Sequence, residues 1–354
     1  MRDPGSATCV YVGAARTRND IFGGLFRHVE GATGWERLSA GLPDVNVSVQ
    51  AITIDPADPR IMYLGTRSGA YRSVDRGDTW QRLELSPNAG EVWSIQLHPS
   101  NPSVVFVGCS PVGIYRSDDA GRQWRELSTP DLPQRVHGHF SNRVMRIAID
   151  PVNPSNMFAT LEINGTLRST DGGETWQDCS AGLIKLAEQP ALKSRIEDEN
   201  DAEGMLDGHA ICISPAAADR VYLAVRMGLF SSDDKGVTWN NLDIGRQSPH
   251  RYGRDVRVAP SEPRTLYACL APASVSAEGS IFRSRDLGVT WDRFDAGSRP
   301  RSTMMGVALH YTDPRRVYGV TRRGQVFGTR DGGKSWEEHP LPEACQDVFC
   351  IACG

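Results

Sequence analysis

The residues best placed for acid–base chemistry in this sequence are Asp207 and His209. Residues two apart on a β-strand point to the same side, so the Asp207 carboxylate could orient His209 or pair with its charge. A histidine tuned in this way is suited to act as a general base near neutral pH. A simple hydrogen bond that closes the adjoining loop explains the pair equally well. Glu91 and Tyr252 are the further candidates for proton transfer.

A divalent metal is a second interpretation of the histidines. His137 and His139 form an H-x-H pair that could supply two nitrogen ligands, with His209 as the third. Most such pairs in loops bind no metal, so both interpretations stay open. The sequence also offers candidates for binding an anionic substrate, since guanidinium groups match carboxylates and phosphates. The expected substrate-binding residues are Arg67, Trp93, Arg143, Arg254 and Arg322.

The elements that position these residues are indicated by a repeat. Seven of the eight tryptophans end a phrase that begins with an aromatic or apolar residue and continues through a polar turn. One copy reads Leu167-Arg-Ser-Thr-Asp-Gly-Gly-Glu-Thr-Trp176, and a degenerate first copy runs from Phe26 to Trp35 without the Ser and Asp. Each copy predicts a β-hairpin in which Asp and Ser accept backbone hydrogen bonds, Gly takes a positive φ and Trp packs between sheets. The tryptophans are Trp35, Trp80, Trp124, Trp176, Trp239, Trp291 and Trp336.

Two further apolar strands separate successive hairpins, the first ending in Asp-Pro or a related pair, as in residues 49–56. Each repeat therefore supplies four strands, which is one propeller blade. The sequence predicts an all-β, seven-bladed β-propeller that forms a single domain over residues 1–354. The chain starts on a second strand at 8–13 and ends on an innermost strand at 347–353, so the two termini are expected to complete one blade and close the ring.

The longest interval between repeat tryptophans precedes blade five. Residues 182–207 carry a helical pattern interrupted at Pro190, and we expect a short, lid-like helical insertion there. Because the hairpins join the third and fourth strands, the innermost strands begin on the opposite face. Aligning those strands places Ser48, Glu91, Arg143, Asp207, Tyr252 and Thr303 at one equivalent position. Two residues later lie Gln50, Trp93, Met145, His209, Arg254 and Met305.

The variety of this polar ring indicates a specialised site, although a water-filled channel without a function would tolerate the same variety. The turns between second and third strands add Arg16, Arg67, Glu162, Arg226, Arg322 and Arg323. A net charge of -4 argues against a nucleic-acid partner. No apolar run reaches membrane-spanning length and no leader is visible, so a cytoplasmic protein without a membrane partner is expected. The eight cysteines should be buried, reduced thiols.

The hairpin phrase resembles the Asp-box, S-x-D-x-G-x-[ST]-W, of the bacterial neuraminidase repeat family of sialidase- and sortilin-type β-propellers. The resemblance covers nearly the whole chain and implies that the box aspartates are structural. That family includes sialidases, xyloglucanases, sortilin-type receptors and photosystem II assembly factors. True sialidases have six blades and an Arg-Ile-Pro motif that is missing here, so sialidase activity is not expected. Xyloglucanases of this class bind substrate between two propellers.

The leading functional hypothesis is an intracellular hydrolase or lyase that acts on a small anionic organic molecule at the face opposite the hairpins. The assigned roles are His209 as base or metal ligand, Asp207 as its orienter, and Arg143 with Arg254 as the anion clamp. The alternative is a non-catalytic scaffold or assembly factor that binds a protein or peptide across the same face.

Overall fold

A computed structural model describes residues 7–15, 22–137, 141–196, 199–217 and 219–354. Within these residues the chain forms seven four-stranded antiparallel sheets. Neighbouring innermost strands contact one another in a closed order, so the sheets are the blades of a ring around a central channel. The predicted all-β, seven-bladed β-propeller is confirmed.

In each blade the four strands, called A to D, run from the channel to the rim. The A strands are β28 (Val348–Cys353), β4 (Val49–Ile54), β8 (Glu91–His98), β12 (Val144–Ile149), β16 (Gly208–Ile213), β20 (Tyr252–Ala259) and β24 (Met304–Leu309), for blades one to seven. The B strands are β1 (Cys9–Ala14), β5 (Met62–Thr66), β9 (Asn101–Ser110), β13 (Met157–Leu161), β17 (Val221–Val225), β21 (Glu262–Ala271) and β25 (Val317–Thr321).

The outer strands follow the same blade order. The C strands are β2 (Gly24–Val29), β6 (Gly69–Ser73), β10 (Ile114–Ser117), β14 (Gly165–Ser169), β18 (Gly228–Ser232), β22 (Ser280–Ser284) and β26 (Val326–Thr329). The D strands are β3 (Glu36–Leu38), β7 (Gln81–Arg82), β11 (Arg125–Glu126), β15 (Gln177–Asp178), β19 (Asn240–Asn241), β23 (Asp292–Arg293) and β27 (Glu337–Glu338).

The hairpins between C and D strands in blades two to seven share one hydrogen-bonded turn. In blade four, Ser169 Oγ donates to Asp171 Oδ1 at 2.8 Å and accepts from the Gly173 N–H at 2.9 Å. Gly173 has a φ of +89°, a left-handed conformation that favours glycine. In blade five the serine that takes this role is Ser232, whose Oγ lies 2.8 Å from Asp234 Oδ1. The box aspartates are therefore committed to holding turns.

The described core divides into seven clusters, each formed by two neighbouring blades and each contacted by one repeat tryptophan. Trp80, for example, is buried between blades one and two with Tyr11 and Leu25. Burying these large apolar side chains between sheets stabilises blade against blade. Each repeat along the sequence therefore contributes one tryptophan to one inter-blade core.

The insertion before blade five is helical, as predicted. It contains α1 (Ala181–Leu186), a 3-10 turn at Pro190–Leu192 and α2 (Glu203–Leu206). Leu183 and Leu206 are fully buried in the cluster shared by blades four and five. None of the insertion's described residues lines the central channel, so its role as a lid stays a prediction. A further 3-10 turn, Ile244–Arg246, follows blade five. No helix in the described ranges has the length and apolar character needed to span a bilayer.

The predicted closure of the ring is present in blade one. Strand β1 pairs antiparallel with β28, from Val10 opposite Cys353 to Ala14 opposite Val348. Blade one therefore joins two distant parts of the sequence in one sheet, and β28 packs against the A strands of blades two and seven. This pairing covers the edge of β1 that would otherwise be open.

Removing residues 347–354 should abolish cooperative folding rather than trim a tail, because β1 would lose its partner and the blade two and seven cores would lose their neighbour. Thermal unfolding followed by circular dichroism measures this. A truncated protein that melts at the temperature of the full chain would contradict closure through β28.

A pair of point variants tests the same seam without deletion. A Cβ added at Gly13 would lie 2.5 Å from both Cys350 Sγ and Val49 Cγ1, whereas one added at Gly34 meets nothing within 4 Å. Gly13→Ala should lower the free energy of unfolding by about 1 to 3 kcal/mol through overpacking. Gly34→Ala, the matched control, should leave it nearly unchanged.

Candidate functional site

A β-bulge occurs at the same position in all seven A strands. In each, the pairing register with the B strand skips one residue near the start of the A strand. A bulge re-aims the side chain that it leaves unpaired. The skipped residues all line the channel and are Gln50, Trp93, Met145, His209, Arg254, Met305 and Phe349. We call this set the bulge ring.

The alignment of the A strands from sequence found six members of the bulge ring and missed Phe349. The reason is that the alignment stopped at blade seven and was not applied to the terminal strand. The segment Asp347-Val348-Phe349 fits the same pattern, and extending the alignment to it would have found both Asp347 and Phe349.

Ion pairs between described residues lie at the rim above the bulge ring. In each pair, one partner lies two residues before a bulged residue, and the other lies in a turn between a B strand and a C strand. Three of the four arginines predicted to bind substrate, Arg67, Arg143 and Arg322, are paired with carboxylates in this way, and their role in binding stays a prediction. Arg254 lies in the bulge ring and forms no hydrogen bond or ion pair with a described residue. The rim pairs are Arg67 with Glu91 (3.2 Å), Arg143 with Glu162 (2.5 Å), Arg226 with Asp207 (2.9 Å) and Arg322 with Asp347 (2.7 Å).

Trp93 is fixed on both sides by charged groups. Its Nε1 donates to Glu91 Oε2 at 3.1 Å, and the Arg143 guanidinium lies 4.0 Å from the centre of its ring. The edge of Trp93 also meets Phe349, with ring centroids 5.7 Å apart. Glu91 therefore holds Trp93 and Arg67 in place, and a proton-transfer role for Glu91 stays a prediction.

The Asp207, His209 and Tyr252 side chains form one buried cluster. His209 Nε2 lies 3.5 Å from Asp207 Oδ2 and 3.2 Å from the Tyr252 hydroxyl, and His209 Nδ1 lies 2.7 Å from the Gly253 carbonyl oxygen. A carbonyl can only accept, so Nδ1 carries a proton and, in the neutral ring, Nε2 accepts from Tyr252. In the neutral ring, Tyr252 is therefore the hydrogen-bond donor to His209.

Two carboxyl groups, Glu162 and Asp207, have pKa values that are shifted in opposite directions. Burial raises the pKa of Glu162, and the attraction of Arg143 only partly offsets it. Burial would also raise the pKa of Asp207, but the charges and hydrogen bonds of His209 and Arg226 outweigh it and hold that pKa at about 2. Burial raises the pKa of Tyr252. The pKa values of these two carboxyl groups are thus pushed apart, upward for Glu162 and downward for Asp207.

The predicted metal site at His137, His139 and His209 stays a prediction. His139 lies outside the described residues, and among the residues that are described no three His, Cys, Asp or Glu side chains are grouped closely enough to hold a metal ion. Both ring nitrogens of His209 already face protein groups. Cys350 and Cys353 are unpaired thiols on β28, and burial raises the pKa of each to about 12, so they are poor metal ligands or redox groups.

Below the bulge ring, a charge cluster that the sequence analysis missed crosses the channel. Asp255 Oδ2 accepts from Arg257 Nε at 2.9 Å, and Asp255 Oδ1 lies 3.4 Å from Arg146 Nη2 of blade four. These residues sit one or three positions after a bulge. They could have been found only by knowing that the bulge shifts the inward-facing positions of the strand.

Comparisons with known proteins agree with this architecture. A family model described as sortilin, neurotensin receptor 3, matches residues 68–187, about a third of the chain. A xyloglucanase of Acetivibrio thermocellus is 26% identical over 311 residues, which is 73% of this chain and 34% of that enzyme. A xyloglucanase of Hypocrea jecorina is 24% identical over 92% of this chain and 36% of that enzyme. The chain thus spans about a third of the length of these curated relatives.

Among solved structures, the GH74 xyloglucanase of Xanthomonas campestris superposes with a TM-score of 0.64 at 18% identity, covering 99% of this chain and 53% of that enzyme. Identity this low shows a shared fold and nothing more specific. The chain is therefore a β-propeller similar to the propellers of xyloglucanases and of the sortilin type.

Replacing Arg226 with Met should destabilise the protein by about 3 kcal/mol near neutral pH, because the buried Asp207 carboxylate loses its guanidinium partner. The pKa of Asp207 is lowered from 3.8 to about 2 in the folded protein. Stability from this pair is therefore present above about pH 4 and lost as the pH falls toward 2. Guanidinium denaturation should show the gap between variant and parent closing over that acid range.

Arg251→Met, which removes an exposed arginine, is the control and should change little. Adding Asp207→Asn to the Arg226→Met variant should recover part of the lost stability. A constant gap between Arg226→Met and the parent at all pH values would show that Asp207 is not the group involved.

Proposed function

We propose that this protein is a hydrolase whose reaction takes place at the channel mouth, on the face opposite the hairpins. The observation that carries the proposal is the buried cluster of Asp207, His209 and Tyr252, next to which Glu162 pairs with Arg143. Burial raises the pKa of Glu162, whereas His209 and Arg226 hold that of Asp207 at about 2. Pairs of titratable groups pushed apart in pKa are the usual means of dividing acid and base roles. The hydrogen-bonded hairpin turns also support assigning the chain to the Asp-box propellers.

Each residue has a defined role in this proposal. Glu162, held by Arg143, donates its proton to the leaving-group oxygen as the bond to it breaks. The Tyr252 hydroxyl takes a proton from the attacking water while it passes its own proton to His209 Nε2. Asp207 stabilises the imidazolium that forms, and this proton later returns to Glu162. Atoms balance because one water is added across the cleaved bond.

The relatives guide the choice of bond. The named xyloglucanases hydrolyse glycosidic linkages, so we propose a glycoside as the first substrate class to test. The surplus of arginine in the channel favours a substrate that carries a negative charge, as the sequence suggested. A lyase reaction and a cytoplasmic location have no further support and stay predictions from the sequence.

Replacing Glu162 with Gln should lower kcat for a p-nitrophenyl glycoside about a hundredfold or more, since general acid catalysis contributes about this factor. Wild-type activity should decline as the pH rises through the raised pKa of Glu162, because the acid then loses its proton. The glutamine variant should lack this alkaline decline. Initial rates of p-nitrophenol release from pH 4 to pH 9, about the range in which such groups titrate, are the measurement.

Glu174→Gln is the matched control, because Glu174 pairs with Arg125 beside a hairpin on the other face; it should keep full activity. Comparing p-nitrophenyl glucuronide with the neutral glucoside tests the substrate charge. If neither these glycosides nor xyloglucan oligosaccharides are hydrolysed by the parent protein, the hydrolase proposal fails, and the non-catalytic scaffold becomes the better account of the mouth.

A further inference from the structure

Gln50 is a buried amide without a partner. Its side chain belongs to the bulge ring, the residue is 6% exposed, and neither Oε1 nor Nε2 has a hydrogen-bond partner among the described residues. Leaving a buried amide unpaired costs free energy that a well-packed strand residue could avoid. An apolar residue would fill this position without that cost. The amide therefore points to a partner that enters from the channel.

Arg254, in blade six, is the second unpaired group of the bulge ring. Its Nε is buried without a hydrogen-bond partner, and the side chain has no ion pair with any described residue. Arg146 Nε, one residue past the bulge of blade four, is likewise buried and unpaired. These guanidinium groups differ from those of the rim, where Arg67, Arg143 and Arg226 each meet a carboxylate.

The charge of the channel lining is unbalanced in the same region. The lining includes three guanidinium groups, from Arg146, Arg254 and Arg257, and one carboxylate, from Asp255. Asp255 is already shared between Arg146 and Arg257. Burial and the neighbouring Arg257 lower the pKa of Arg146 to about 10. An added anion would relieve this repulsion and supply the missing acceptor for Arg254.

The rest of the bulge ring is apolar. Met145, Met305, Trp93 and Phe349 also face the channel, and the two aromatic rings meet edge to face. Methionine and aromatic faces accommodate flat apolar groups. The channel at this level is partly open to solvent, so a ligand can enter it from the mouth.

We propose that the bulge ring binds a small organic oxyanion, with its carboxylate or phosphate on Arg254 and Arg146, its flat apolar body against Trp93 and Phe349, and a polar group at its far end on Gln50. This proposal rests on the proposed function, because the bulge ring lies in the channel whose mouth is the proposed reaction site. It adds the class of substrate, a small organic oxyanion. Binding here needs no turnover, so it can be measured apart from hydrolysis.

Titration calorimetry with p-hydroxybenzoate, which carries a carboxylate, a flat ring and a distal hydroxyl, tests the site directly. Arg254→Gln should weaken binding about tenfold or more, as loss of a charged hydrogen bond does. The neutral p-hydroxybenzamide should bind the parent protein weaker by a similar factor. Gln50→Leu should weaken p-hydroxybenzoate but leave benzoate unchanged, because benzoate has no group for the amide.

Arg323→Gln is the matched control, because it removes an exposed arginine of the same face that does not line the channel; it should bind like the parent. Melting temperatures of Arg254→Gln and Gln50→Leu at or above that of the parent show that any loss of binding is not loss of folding. Equal affinity of parent and Arg254→Gln, or no binding of p-hydroxybenzoate, phenyl phosphate or benzoate to the parent, would overturn the proposal.

Glu162→Gln separates the two proposals. That variant should still bind p-hydroxybenzoate, since Glu162 is on the rim and the bulge ring is intact. Binding without hydrolysis of any glycoside would retain the oxyanion site and refute the hydrolase. Hydrolysis that Arg254→Gln leaves untouched, with no oxyanion binding, would retain the hydrolase and refute the site.

Discussion

One bulged residue in each innermost strand controls what the channel presents. The side chains of a regular strand alternate between its two faces, which in a blade face the inter-blade cores. Without the bulges, the side chains that now face the channel would therefore point into those cores. The bulge falls on the second or third residue of the A strand in all seven blades, and the bulged residues all line the channel. The ring is complete only because β28 contributes Phe349 to blade one. The strand that closes the propeller therefore also supplies one residue of the bulge ring.

The charges of the channel are arranged in two levels with different balance. At the rim, arginines and carboxylates neutralise each other, within blade four for Arg143 with Glu162 and between neighbouring blades for Arg67 with Glu91 and Arg322 with Asp347. A partly exposed pair such as Arg67 with Glu91 contributes little stability by itself, but Glu91 also holds Trp93 in position. At the bulge ring the balance is lost, and Arg254 faces the channel without a carboxylate.

The fold could be predicted from the sequence because local residue patterns determine it. The tryptophan phrases specify the hairpins, the alternating apolar strands specify the blades, and the equivalent positions of Asp207 and Tyr252 follow from aligning the strands. Pairings across the channel, such as Arg146 with Asp255, depend on distances between blades that no local pattern contains. The same limit explains why neither the pairing of Arg67, Arg143 and Arg322 nor the unpaired state of Gln50 could be predicted from the sequence.

The most direct test of this account is a crystal structure of the protein grown with p-hydroxybenzoate. The account predicts density for the ligand within the bulge ring, its carboxylate within hydrogen-bond distance of Arg254, about 2.7–3.2 Å, and its hydroxyl on the Gln50 amide. Density only on the outer surface, or a channel in which Gln50 and Arg254 are satisfied by protein groups of other blades, would contradict the claim that the bulges build a ligand site.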